Sequence, residues 1–145
     1  MYDNFIGIDP GKAGGIAIIT PNKVEAYAIP ETEKDLFDIL DSIHFPRTFT
    51  LIEKVHSAPG QGVASVFTFG RGYGFLRGCL IGIGLPFDEI SPLSWQTALK
   101  CKSGGDKNVT KAKAQQLFPH LKITHKTADS LLIAEYNRKF YNKKV

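Results

Sequence analysis

Three carboxylates in this chain stand where an acid is costly. Asp9 closes the apolar run Phe5-Ile6-Gly7-Ile8-Asp9, Glu53 closes Phe49-Thr50-Leu51-Ile52-Glu53, and Asp129 follows His125-Lys126-Thr127-Ala128 late in the chain. An acid at the inner end of an apolar strand loses hydration unless a cation or hydrogen bonds offset the loss. Three of them from distant segments point to a shared cation. With no thiolate and at most one imidazole, His125, the donors suit Mg²⁺ or Mn²⁺ better than a softer metal. Two such ions bridged by acids, roughly 3.5 to 4 Å apart, activate a water and stabilise the leaving oxygen of a phosphodiester in line. Each element alone has a plainer reading. Asp9 before Pro10-Gly11 shapes a turn, Glu53 pairs with Lys54 or Arg71 at the surface, and His125 and Asp129 are first-turn residues of a helix, where the dipole suits the acid better than a charged His. Their combination favours the site.

The elements that would position these acids follow from the pattern of apolar residues. Residues 4–9, 16–20 and 23–29 read as three strands joined by the turns Gly11-Lys12-Ala13-Gly14-Gly15 and Pro21-Asn22, short enough for antiparallel hairpins. A helix from Pro30-Glu31-Thr32-Glu33 to about His44 carries Leu36, Ile39, Leu40 and Ile43 at helical spacing. Thr48 to Glu53 returns to the sheet after this crossover, which predicts a strand parallel to its predecessor. Asp9 and Glu53 would then share one sheet edge. Residues 85–90 read as a fifth strand, and Ser91-Pro92 as the cap and first position of a helix to Leu99. Lys100 to Asn108 reads as a loop, Thr110 to Phe118 as a basic helix, and His125 to Tyr141 as a last helix that places His125 and Asp129 on one face. The result is an α/β fold in a single domain, residues 1–145: a mixed five-stranded sheet, three antiparallel strands and then parallel ones, flanked by helices.

Val63 to about Gly82 reads as a long apolar helix in which Gly70, Gly74, Gly78 and Gly82 recur every four residues on one face. Each costs about 1 kcal/mol relative to Ala in a helix interior. Close backbone approach to the sheet, or to the same helix of a second subunit, would offset that cost. The alternative is a segment broken by turns near Gly70 to Gly74.

Composition narrows the partners. The net charge of +4 is unevenly spread: residues 1–50 hold eight Asp/Glu against four Lys/Arg, whereas residues 100–145 hold three against eleven. A basic C-terminal stretch attracts phosphates, which makes nucleic acid the first partner to consider, against a bland reading of solubilising lysines. Cys79 and Cys101 sit in unrelated contexts without metal or redox spacing and read as reduced thiols. Neither a signal-peptide pattern nor an apolar run of membrane-spanning length appears, so a cytoplasmic location and no membrane partner are expected.

Gly7-Ile8-Asp9-Pro10-Gly11, the acid ending the fourth strand, and Ala128-Asp129-Ser130-Leu131-Leu132-Ile133-Ala134 together resemble the RuvC family of Holliday-junction resolvases, within the RNase H-like (retroviral integrase) superfold. The resemblance spans most of the chain and looks closest to the phage-type and organellar branch, in which a His lies four residues before the last acid, as His125 does. In the better-known bacterial branch the equivalent group lies three before it, where this chain has Lys126. His125 is therefore a metal ligand, a proton carrier or neither. The resemblance implies catalytic and metal-binding roles for Asp9, Glu53 and Asp129, with His125 as the fourth candidate, and two Mg²⁺ ions per site, for which Mn²⁺ would substitute. It implies a homodimer that nicks opposed strands of a four-way DNA junction and leaves ligatable 5′-phosphate and 3′-hydroxyl ends. Phe67 or Phe69 matches the family's wedge position and could stack on a base; the plainer reading is core packing. Arg71 and Arg77 are phosphate contacts or merely solvated. Lys100, Lys102, Lys107, Lys111 and Lys113 match the family's DNA-facing loop and helix, and Lys126 stands beside the site, where it neutralises the scissile phosphate or lies on the exposed side. Trp95 reads as a core anchor outside the site.

Other readings are a nuclease of the same fold for other branched DNA or RNA/DNA hybrids, and a catalytically idle junction-binding module. An actin-like nucleotide-binding fold ranks last, because such chains are longer and repeat the strand meander.

Overall fold

In the computed structural model, which describes residues 1–142, five strands form one sheet: β1 (Asn4–Asp9), β2 (Gly15–Ile19), β3 (Val24–Ala28), β4 (Thr48–Glu53) and β5 (Phe87–Ile90). Their spatial order is β3-β2-β1-β4-β5; β1, β2 and β3 pair antiparallel, and β4 runs parallel to both β1 and β5. This is the mixed arrangement expected from the short turns and the helical crossover.

Period-2 alternation along the central strands divides the core in two. Ile6, Ile8, Ile16, Ile18 and Ile52 face one side, where α1 (Glu33–Ser42) and α2 (Val63–Ile83) supply Leu36, Leu40, Leu76 and Leu80. Ala17, Ile19 and Leu51 face the other, against Trp95 of α3 (Pro92–Ala98), Ala114 of α4 (Lys107–Leu117) and Leu131 to Ala134 of α5 (His125–Tyr136). At β1 the α5 side presents Gly7. A Cβ there would lie 2.2 Å from the Ala134 nitrogen and 2.4 Å from the Ser130 carbonyl oxygen, so α5 rests on the bare strand backbone. Gly15, opposite Asp9, allows the same approach, since its Cβ would lie 2.4 Å from the Lys126 carbonyl oxygen. The helix therefore runs antiparallel to β1 and brings its N-terminal half to the strand end that carries Asp9.

Several boundaries differ from the sequence reading. Helix α4 starts at Lys107 because the Asp106 carboxylate caps it, accepting from the Asn108 N–H at 2.9 Å. Helix α5 ends at Tyr136 and continues as a π-helical turn, Asn137–Tyr141. There the buried Asn137 amide donates to the carbonyls of Ile6 at 3.0 Å and Phe49 at 2.9 Å, tying the helix to two neighbouring strands. Helix α2 is unbroken, which removes the turn alternative. Its glycines do not approach the sheet either: a Cβ at Gly70, Gly74, Gly78 or Gly82 would meet nothing within 4 Å. Among the described residues, no helix is long and apolar enough to cross a membrane.

Candidate active site

Asp9 shares the parity of Gly7 on β1, and Glu53 that of Leu51 on β4, so both acids leave the sheet on its α5 side. Parallel pairing runs through Ile8 and Ile52, and one step further along both strands lie Asp9 and Glu53. Antiparallel passage of α5 then sets Asp129, one turn into the helix, beside them. Three distant segments thus deliver one acidic cluster to the ends of the two central parallel strands.

The cluster is electrostatically expensive. Asp9 is buried, and its carboxyl is pushed up to about 7, first by desolvation and then by the charges of Glu53 and Asp129, with Lys107 pulling the other way. Glu53 is also raised, mainly by burial and in part by Asp129; a hydrogen bond from Trp95 and the charge of Lys107 oppose the rise. The Trp95 indole Nε1 donates to Glu53 Oε2 at 2.8 Å, and the ring is fully buried. Trp95 is thus the core anchor expected and, in addition, a direct partner of a site carboxylate. One signal in the sequence could have found it: a buried indole has a single N–H that must reach an acceptor.

The cations expected to face DNA take different positions. Lys107, read as a loop residue, opens α4 and is exposed, and its charge reaches both Asp9 and Glu53. Lys100 and Lys102 are exposed between α3 and α4, with Lys100 in a left-handed backbone conformation at φ 58°. Lys111 and Lys113 lie half-buried on α4; Lys113 and Asp129 act oppositely on the Cys101 thiol, whose pKa burial raises. Both His125 and Lys126 are exposed in the first turn of α5, which Thr124 and Thr127 close with a capping box. The charges that act on Asp9 and Glu53 come from Asp129 and Lys107, and from Glu53 itself at Asp9.

On α2, Phe67 is 71% exposed and touches solvent rather than core. Phe69 stacks on Tyr73 with ring centroids 6.5 Å apart and packs against Gly11, where a Cβ would lie 3.1 Å from its ring. Gly11 has φ +104°, a conformation that glycine adopts without strain, so the turn after Asp9 is shaped to receive this ring. Arg71 pairs with Glu33 at 2.9 Å and Arg77 with Glu89 at 3.3 Å, so each guanidinium already holds a partner in the chain.

Among the described residues, no group of three or more His, Cys, Asp or Glu side chains is gathered tightly enough to hold a metal ion. The chemistry of the donors nonetheless fits a hard cation. Asp9, Glu53 and Asp129 are all oxygen donors; beyond burial, Glu53 and Asp129 raise the cost of ionising Asp9 and Asp129 raises that of Glu53, while the charge of one exposed lysine, Lys107, opposes both. A divalent ion would remove that cost.

Comparison with solved structures places this geometry in a known fold. The structure of Thermus thermophilus RuvC has a TM-score of 0.65 with this chain at 17% identity, covering 97% of this chain and 96% of that one. A second, T. thermophilus RuvC in complex with Holliday junction substrate, has a TM-score of 0.64 at 18% identity, covering 99% of this chain and 96% of that one. The chain has the RuvC-type, RNase H-like α/β fold. No protein-family model and no curated protein sequence matches it.

Proposed function

We propose that this chain is a divalent-cation-dependent endonuclease that resolves four-way DNA junctions as a homodimer. It would act in the cytoplasm as a single RNase H-like nuclease domain of the phage or organellar RuvC-like branch. The observation that carries the reading is the convergence of Asp9, Glu53 and Asp129 on one edge of the sheet, in a fold shared with a protein solved on a Holliday junction. Asp9, Glu53 and Asp129 would hold Mg²⁺ or Mn²⁺, two ions per site, with His125 as a further ligand or proton carrier. When bound, the ions supply an activated water and charge stabilisation at the leaving oxygen.

The chain's own residues do the remaining work. Asp9 and Glu53, fixed at strand ends, give the site a rigid floor, and Asp129 closes it from α5. Lys107 at the head of α4 places a positive charge beside the acids, where a scissile phosphate must come to rest. Lys100, Lys102, Lys111, Lys113 and Lys126 extend that charge along the same side and hold the DNA backbone in register without reading sequence. Phe67, exposed on the first turns of α2, offers a face for stacking on an unpaired base. Phe69, packed on the Gly11 turn, is the alternative stacking face, and Arg71 and Arg77 would exchange Glu33 and Glu89 for phosphates.

The homodimer rests on α2. An apolar helix of 21 residues with three buried side chains, outward glycines, and Val63 and Ile81 exposed presents the face that a second copy of the helix would cover. Gly74→Leu or Gly78→Leu should weaken association in analytical ultracentrifugation; an unchanged sedimentation coefficient at low concentration would count against this placement.

The deciding assay incubates a labelled four-way junction with the protein and Mg²⁺. Paired, symmetric, religatable nicks are expected, and equal cleavage of flap, hybrid and junction substrates would remove the junction from the reading. A catalytically idle junction-binding module is the second reading, favoured by the loose spacing of the acids. Asp9→Asn separates the two: it should bind the junction as the parent does and leave it uncut. An Asp9→Asn protein that cuts at the parental rate overturns the site assignment.

A further inference from the structure

Trp95 is the chain's one tryptophan, and it reaches Glu53 across a gap of 42 residues in sequence. Its position is rigid: Ser91 caps α3 by accepting from the Ser94 N–H at 3.2 Å, Pro92 follows, and the indole sits at zero exposure among Ile90, Leu99 and Leu131 in the core beneath the site. Glu53, by contrast, closes β4 and is half-buried, with its carboxylate among the acids of the site. The bond of 2.8 Å therefore transmits the rigidity of the core to the carboxylate rather than the reverse. An indole nitrogen is a donor only, so it engages Glu53 solely through a lone pair on Oε2.

We infer that Trp95 is a positioning residue for the cation site: its indole N–H pins Oε2 of Glu53 and so fixes the orientation of a carboxylate that would hold a divalent ion. The inference rests on the proposed cation-dependent reading of the same site. It gives Trp95 the part of an outer partner, which orients a ligating carboxylate and tunes how well it binds. Loss of such partners typically weakens metal affinity or activity by roughly 10- to 100-fold.

The single indole makes the test direct. In ¹⁵N-labelled parent protein one indole N–H resonance is present, and MgCl₂ should move it along a saturable curve with the midpoint that calorimetry gives for Mg²⁺ binding. Glu53→Gln should abolish the movement. Trp95→Phe keeps most of the ring and removes the donor; it should retain the parental circular dichroism spectrum while binding Mg²⁺ roughly 10- to 100-fold more weakly. Where Trp95→Phe does not fold, the titration of the parent decides alone. A parent that binds Mg²⁺ and cuts the junction while its indole resonance stays fixed overturns the inference and leaves the function intact. Parental Mg²⁺ affinity in a folded Trp95→Phe protein does the same. A parent that binds no Mg²⁺ overturns the inference and the cation-dependent reading together.

Discussion

The two longest helices of this chain use glycine in opposite ways. Beneath α5 the glycines belong to the strands: Gly7 and Gly15 strip the sheet of side chains, and the helix backbone settles onto it closely enough that nine of its twelve residues are buried. In α2 the glycines belong to the helix and, among the described residues, a Cβ on them would meet nothing within 4 Å; three of its 21 residues are buried. The first arrangement is complete within one chain and positions Asp129. The second spends helix stability on a surface that no described residue covers. A glycine pattern in sequence is thus ambiguous until its would-be Cβ is placed: against backbone it marks a finished contact, and against open space it marks an unfinished one.

Gly7→Ala is the severest test of the α5 side. Its Cβ would fall 2.2 Å and 2.4 Å from backbone atoms of Ala134 and Ser130, which cannot move without lifting the helix. A loss of about 3 kcal/mol or more is expected in urea denaturation, at or beyond the upper end of ordinary overpacking. A loss below about 1 kcal/mol would mean that α5 is not seated as tightly as described. Asn137→Leu comes next, because it leaves the carbonyls of buried Ile6 and half-buried Phe49 without the amide that bridges them. About 2 to 3 kcal/mol should be lost, with α5 fraying from its C-terminal end in hydrogen exchange.

Asp9→Asn probes the electrostatic cost of the same side, and its sign is opposite. The folded carboxyl titrates at about 7 against an ordinary 3.8, so between those values the folded chain holds a proton that the unfolded chain has released. Stability in divalent-free buffer should therefore fall as pH rises through that window, and Asp9→Asn should remove most of the slope. At neutral pH the variant should be more stable than the parent, on the order of 1 to 3 kcal/mol, while losing cleavage. A flat parental profile between pH 4 and 7 would show that neither burial nor the neighbouring acids raise the Asp9 carboxyl. Gly72→Ala is the mildest change and completes the contrast. Its Cβ meets nothing within 4 Å, and it lies off the stripe of Gly70, Gly74 and Gly78, so α2 should gain roughly 0.5 to 1 kcal/mol in thermal melts. Gly7→Ala and Gly72→Ala changing stability in the same direction would break the comparison.

Much of this was legible in sequence for local reasons. Acids at the ends of apolar strands, turn chemistry between strands, and helical spacing of leucines are all set by neighbouring residues, and they yielded the five strands and the three acids. From sequence Lys107 reads as loop, because the Ser103-Gly104-Gly105 run before Asp106 masks the helix cap that Asp106 supplies. The π-helical turn was invisible because its cause, two strand carbonyls bonded to Asn137, lies 131 and 88 residues away. The sequence around Trp95 marks it as core but cannot show its chemistry, since its partner is the acid Glu53 on another element.

Residue type and periodicity are short-range properties, so they suffice to name the groups that could do chemistry and the elements that carry them. Which of those groups meet depends on how distant segments pack. Helix α5 had to lie on Gly7 and Gly15 before Asp129 could join Asp9 and Glu53, and α3 had to pack beneath β4 before Trp95 could hold Glu53. The same structure showed that the glycines of α2 meet nothing among the described residues, since a contact, unlike a pattern, exists only when two distant segments share one space.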